Sequence, residues 1–106
     1  MTRGDVWWVN FEPSIGGEIR KQRPAIIVSN DAANYYLKRV QVVPITSNIG
    51  KLYPSEAYVT FHGKKSKAMA DQVTTVSKKR LINSAGTISA TEMEGVSKAI
   101  ATQLDL

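Results

Sequence analysis

Apolar positions in this chain fall in short dense runs separated by polar or glycine-bearing breaks. Between residues 5 and 11, Val6, Trp7, Trp8, Val9 and Phe11 form an apolar, aromatic run that Pro13 and the Gly16-Gly17 pair bring to a stop. This pattern predicts a first strand and its loop. A β-branched run follows over 24–29, bounded by Asn30-Asp31, and a third covers 40–46. Pro44 has no N–H to give to a ladder, so the third strand should be bulged or at an edge there. The stretch 32–37 between them has room for only one helical turn. Residues 58–61, 66–70 and 87–88 read as further short strands, with Gly63 beside Lys64 and Lys65 marking a hairpin between the first two. Only the C-terminus carries a helical period. Ser89 and Glu92 make an S-x-x-E capping box, and Met93, Val96, Ile100 and Leu104 fall on one face.

Many short strands with one helix predict a mainly β fold with a C-terminal helix, closed as a small barrel. A length of 106 residues suits a single domain over 1–106. The apolar stripe of the helix must lie on the barrel or on a partner. A domain this small gains from an apolar dimer interface, and a homodimer through that stripe is the expectation.

Composition narrows the chemistry. The chain has no cysteine, which excludes disulfides, thiol nucleophiles and iron–sulfur ligation. With one histidine, His62, a two-histidine ribonuclease mechanism and a multi-histidine metal site are both excluded. The scattered acids show no metal-ligand spacing, so neither a metal nor a cofactor is expected. There is no apolar run of about 18 residues, and the expectation is a soluble, cytoplasmic protein with no membrane contact. Fourteen Lys and Arg against nine Asp and Glu leave a formal +5, which points to polyanions or acidic proteins as partners.

Three constellations could carry chemistry. In the first, Arg20, Lys21 and Arg23 lie within four residues, in a loop that opens on Gly16-Gly17 and runs into a strand. Arg23 stands at the strand start, and Pro24 restricts it to an extended backbone. A guanidinium so anchored can grip a phosphate through two parallel hydrogen bonds, although charged loops of this kind are also common as solvated faces. The second is Pro44-Ile45-Thr46-Ser47-Asn48, whose short polar groups can hold a phosphate oxygen or a ribose hydroxyl, or equally cap a turn. The third is Asp71-Gln72 after a strand, followed by the cationic run Lys78-Lys79-Arg80. Six of the 14 basic residues lie between Lys64 and Arg80, as a phosphate-tracking surface would require.

Taken together, Arg3-Gly4-Asp5-Val6-Trp7-Trp8, Gly17-Glu18 with Arg23-Pro24-Ala25-Ile26-Ile27-Val28-Ser29-Asn30, Val43-Pro44-Ile45-Thr46, and Asp71-Gln72 with Lys79-Arg80-Leu81 resemble the MazF/PemK toxin family in order and spacing. The resemblance spans nearly the whole chain. It implies a plus-barrel related to SH3-like barrels, a homodimer, and a sequence-specific, metal-independent endoribonuclease of a toxin–antitoxin system. The substrate implied is single-stranded RNA, cut by attack of the ribose 2′-hydroxyl to leave a 2′,3′-cyclic phosphate and a 5′-hydroxyl. The inhibitor implied is an acidic antitoxin whose disordered tail covers the active groove. By resemblance, Arg23 and Thr46 match the catalytic arginine and threonine, Glu18 the loop glutamate and Gln72 an RNA-contacting glutamine. Lys21, Ser47 and Asp71 lie beside these matches as further candidates for substrate binding. One branch of the family pairs an aspartate base with an arginine two residues earlier; here Asp71 is present but Met69 takes the arginine's place. The arginine–threonine pair is therefore favoured, with Thr46 in a positioning role because a hydroxyl is a poor base. A non-catalytic toxin of the same barrel that poisons DNA gyrase is the alternative, and Arg23 with Thr46 and Glu18 argue against it.

Overall fold

The computed structural model describes residues 1–12 and 22–106. Seven strands are present among them: β1 (Asp5–Asn10), β2 (Gln22–Ile27), β3 (Arg39–Thr46), β4 (Glu56–Phe61), β5 (Lys64–Met69), β6 (Thr74–Ser77) and β7 (Leu81–Thr87). A one-turn helix α1 (Asp31–Tyr36) joins β2 to β3, and the chain closes with helix α2 (Ala90–Leu104). All pairings are antiparallel, in the order β4-β5-β3-β2-β1-β7 with β6 also on β3. The result is a half-barrel of strands carrying a C-terminal helix.

Strand β3 is the hinge of this arrangement. Its first half, Arg39 to Val42, pairs with β6, and its last two residues, Ile45 and Thr46, pair with β5. Its other edge carries β2. Pro44 is therefore in a central strand, fully buried, and neither at an edge nor at a register shift as its missing N–H suggested. It is tolerated because it stands where β3 has left β6 and not yet met β5, and where the β2 ladder ends at the Ala25–Pro44 pair.

Both faces of the β2–β3 pair are buried. On one side Val6, Ile26, Val43, Ile45, Val59, Ala68, Ile88 and Val96 form one apolar cluster; on the other Val9, Ala25, Ile27, Val40, Val42 and Val76 form a second. This is why these strands read as continuous apolar runs instead of alternating ones. Trp7 packs its ring against the second cluster, and its Nε1 is buried with no partner among the described residues.

The β4–β5 hairpin turns on His62 and Gly63, both at positive φ (50° and 74°). A two-residue turn of this hand matches the twist of the flanking strands. The His62 ring stacks on Phe61 and its Nε2 meets the Ala85 carbonyl at 2.7 Å, so it is a hairpin residue in a structural contact. Strand β6 falls where the sequence offered a polar motif, and β7 begins well before the Thr87-Ile88 pair that marked it.

Helix α2 starts as the capping box requires: Ser89 Oγ accepts from Glu92 N at 3.2 Å. The Glu92 carboxylate does not return the bond. It reaches across to β4 and accepts from Thr60 N and Thr60 Oγ1, both at 2.9 Å, tying the first turn to the sheet. Gly95 faces the Ala57 methyl of β4 across this interface. Val96 is fully buried and Met93 and Ile100 pack against the first cluster, leaving only Leu104 of the stripe exposed. The expectation of a dimer through this stripe is corrected here, because the chain's own half-barrel covers it.

Val96→Ala should therefore destabilise the fold by about 2 kcal/mol, the cost of removing buried methyl groups from a packed site. Ser89→Ala should cost about 1 kcal/mol through the lost helix cap. Thermal or denaturant unfolding reads both, and a Val96→Ala protein as stable as the parent would mean that α2 is not docked as described.

Candidate functional site

Strands β2 and β3 begin and end, respectively, in polar residues at the same end of their ladder. The ladder runs Ile27–Val42, Ile26–Val43, Ala25–Pro44; continued by two residues, its register sets Arg23 opposite Thr46. Opposed residues of an antiparallel pair point to one face. Arg23 alternates with Ala25 and Ile27, so this face is the one that carries the second apolar cluster. Val9, the β1 partner of Arg23, is fully buried in that cluster. The Arg23 backbone is thus held by β1 while its half-buried side chain stands where the apolar face gives out.

On the other edge of β3, Thr46 pairs with Lys67, and Lys67 pairs with Tyr58 of β4. Observed pairs therefore put Thr46, Lys67 and Tyr58 on one rung, and the β2–β3 register, continued two residues past its last pair at Ala25–Pro44, points toward Arg23. Thr46 Oγ1 accepts a hydrogen bond from Asn48 N at 3.2 Å. The hydroxyl both caps a turn and keeps its own O–H free to donate. Ser47 follows at once and is exposed. Gln72 is half-buried in the turn between β5 and β6, its Nε2 3.8 Å from the Met69 sulfur. Met69 lies two residues along β5 from Lys67 and so belongs to the same face. Asp71, in the same turn, is exposed. Arg23 and Thr46 thus share the face of the second cluster beyond the end of the β2–β3 ladder, while Ser47 follows Thr46 into the loop and Asp71 and Gln72 lie in the turn after β5. Glu18 and Lys21, like Arg20, lie outside the described residues.

The cationic run between residues 64 and 80 divides into two groups. Lys67 is buried, with Nζ 3.0 Å from Glu56 Oε1 and 2.9 Å from the Lys51 carbonyl. Lys78 Nζ donates to the Asn34 carbonyl, and Arg80 Nη1 donates to the carbonyls of Asn10, at 3.2 Å, and of Glu12. These three cations bind backbone and do not form part of an open surface. Lys64, Lys65 and Lys79 remain exposed; Lys65 Nζ lies 3.9 Å above the Tyr58 ring. The phosphate-tracking surface expected from the sequence is accordingly narrower than six cations.

Sequence reasoning missed Lys67, Glu56 and Tyr58. Ser66, Ala68 and Ala70 are buried on the core side of β5, so the alternation of Lys65 and Lys67 with them could have put Lys67 on the face of Thr46. Its burial could not be read, because the segment 47–55 that covers it has no pattern of its own. Among the described residues no three His, Cys, Asp or Glu side chains gather as a metal site would need.

Residues 2–104 match the family of PemK-like, MazF-like toxins of type II toxin–antitoxin systems. The chain is 39% identical to the endoribonuclease MazF9 of Mycobacterium tuberculosis, over 100% of this chain and 98% of that protein. Among solved structures, MazF of Deinococcus radiodurans superposes with a TM-score of 0.86 at 27% identity, covering 100% of this chain and 97% of that one. A mycobacterial endoribonuclease solved in complex with its cognate antitoxin superposes with a TM-score of 0.84 at 24% identity, covering 100% and 96%.

The division of the cations has a measurable consequence. Arg80→Ala should lower stability by about 1 kcal/mol or more, since it leaves two strand-end carbonyls without their charged donor. Lys79→Ala should stay within about 0.5 kcal/mol of the parent, as exposed substitutions do. Equal effects in denaturant titrations would show that Arg80 does not hold the end of β1.

Proposed function

The chain belongs to the PemK-like, MazF-like family of type II toxin–antitoxin toxins and is an endoribonuclease of that kind, and we propose that Arg23 and Thr46 carry its cleavage of single-stranded RNA. The observation that supports this reading is that Arg23 and Thr46 each lie two residues beyond the last β2–β3 pair, Ala25–Pro44, on the face otherwise filled with apolar side chains. A phosphodiester lying across that end meets a guanidinium on one strand and a hydroxyl donor on the next.

In the reaction proposed, the ribose 2′-oxygen attacks the adjacent phosphorus and the bond to the 5′-oxygen breaks. The 2′-hydroxyl gives up its proton and the departing 5′-oxygen gains one. The products are a 2′,3′-cyclic phosphate and a 5′-hydroxyl. Charge that builds on the non-bridging oxygens is met by Arg23 through paired N–H donors, with no metal needed for that task. Thr46 donates its free O–H to a phosphate oxygen or orients the 2′-hydroxyl. Gln72, Ser47 and Asp71 flank the bond and contact the RNA, as do Glu18 and Lys21. The domain proposed is the whole of 1–106.

The working form we propose is a homodimer, restrained by an acidic antitoxin whose disordered tail lies along the same groove as the RNA. The excess of cations over acids, +5 overall, supports a surface that accepts either polyanion. No helix among the described residues is long and apolar enough to cross a membrane, and we place the protein in the cytoplasm with its RNA.

Arg23→Ala should leave a folded protein whose cleavage of RNA falls by roughly a hundredfold to a thousandfold, the usual cost of removing one transition-state donor. Thr46→Ala should lose most activity as well. Fragments from total RNA incubated with the protein in EDTA, absent with Arg23→Ala, test both the activity and its freedom from metal. A folded Arg23→Ala variant that cuts at the parental rate would remove Arg23 from the mechanism.

A further inference from the structure

We infer that Tyr53, held by the buried Lys67–Glu56 pair, is a stacking platform for one base of the RNA next to the cleaved bond, and so a determinant of which sequence is cut. This rests on the cleavage site proposed above. The side chains of Lys67 and Glu56 are 8% and 13% exposed, and taking an ion pair out of water is costly unless its remaining hydrogen-bonding groups are satisfied. Here they are satisfied by one segment, the loop 47–55. Lys67 Nζ donates to the Lys51 carbonyl at 2.9 Å, and Glu56 Oε1 accepts from Tyr53 N at 2.9 Å. Tyr58 OH adds contacts to the carbonyls of Ile49 and Gly50 at 3.3 and 3.2 Å.

Lys67 and Tyr58 stand on the rung of Thr46, and the loop itself departs from Thr46 through the turn closed by Asn48 N. The loop is thus pinned at four backbone positions to the strands that carry the candidate site. Pinning of this kind would be unremarkable for a polar loop, but this one presents Ile49, Leu52 and Tyr53 to solvent, the last 54% exposed. Lys51 Nζ lies 5.3 Å from the centre of the Tyr53 ring. An exposed aromatic ring with a cation beside it, on a loop that leaves the strand end at Thr46, has the make-up of a surface on which an unstacked base lies with its phosphate neutralised. A loop whose backbone is already pinned also loses less entropy on binding than one that must be ordered on contact.

The test measures cleavage of short single-stranded RNAs that carry the parental site and single-base variants of the flanking positions. Tyr53→Ala should raise KM roughly tenfold, the scale of one base–aromatic stack, with the loss falling on KM and not on kcat, and should relax the preference at one flanking base. Tyr53→Phe should recover the affinity, because the ring and not the hydroxyl is used. Lys67→Met and Glu56→Gln should reproduce the KM effect, and adding either to Tyr53→Ala should change KM little further, since both act through the same ring. If Lys67→Met fails to fold, the exposed Tyr53 pair and Glu56→Gln still decide the matter. Tyr53→Ala with parental KM and parental site choice overturns the inference while leaving Arg23 and Thr46 in place. The same result together with weakened binding of an acidic antitoxin peptide would assign the ring to a protein partner instead, and overturns it equally. A parental protein that cuts no RNA at all overturns the cleavage reading first, and this one with it.

Discussion

The constraint on which the rest of the structure depends is that the β2–β3 ladder is buried on both faces. Ala25, Ile26, Ile27, Val42 and Val43 fill two apolar clusters from a single pair of strands. No polar side chain can be accommodated along that stretch without an unsatisfied group in a dry interior. Polar chemistry must therefore wait until the ladder runs out, and it runs out at Ala25 and Pro44. The first residues beyond it on this face are Arg23 and Thr46. Core formation and site formation are two consequences of one strand pairing, so a register slip that moved one residue would also exchange the two faces of the pair.

A second consequence concerns charge. An excess of five positive charges invites the picture of a cationic surface, yet Lys67, Lys78 and Arg80 are committed to backbone carbonyls and an ion pair. A small domain with several turns has many carbonyls at strand ends, and long cationic side chains reach them while their stems cover apolar surface. The field that RNA meets is set by the cations left over. Its shape is decided by tertiary contacts and not by the count.

The helix illustrates how a local signal can be satisfied in a different place from the one it suggests. Ser89 caps α2 as its sequence indicates, whereas Glu92 bonds to Thr60 on the sheet. Its apolar stripe is likewise absorbed by the half-barrel of the same chain, all but Leu104. Among the described residues, large apolar side chains remain exposed at Tyr35, Tyr36 and Leu37, at Ile49, Leu52 and Tyr53, at Ile82 of β7, at Met1, and at Leu104 and Leu106 at the end of α2.

By itself the sequence determined the elements whose signals are local: the apolar runs of β1, β2 and β3, the glycine-marked β4–β5 hairpin, the cap and period of α2, and the family to which these motifs belong. It also indicated Arg23, because Pro24 and the strand start fix that backbone, and Thr46, because it ends an apolar run. Only the tertiary structure decided what depends on long-range pairing. Strand β3 divides its edge between β6 and β5, so Pro44 is central and buried although its chemistry reads as that of an edge. The rung that joins Thr46, Lys67 and Tyr58 draws on three strands from 46 to 67 in the chain, and no local motif announces it. Lys67 reads as a surface cation because lysine is almost never buried without a partner; its partner is Glu56, eleven residues away, and the loop that seals them carries no periodic signal.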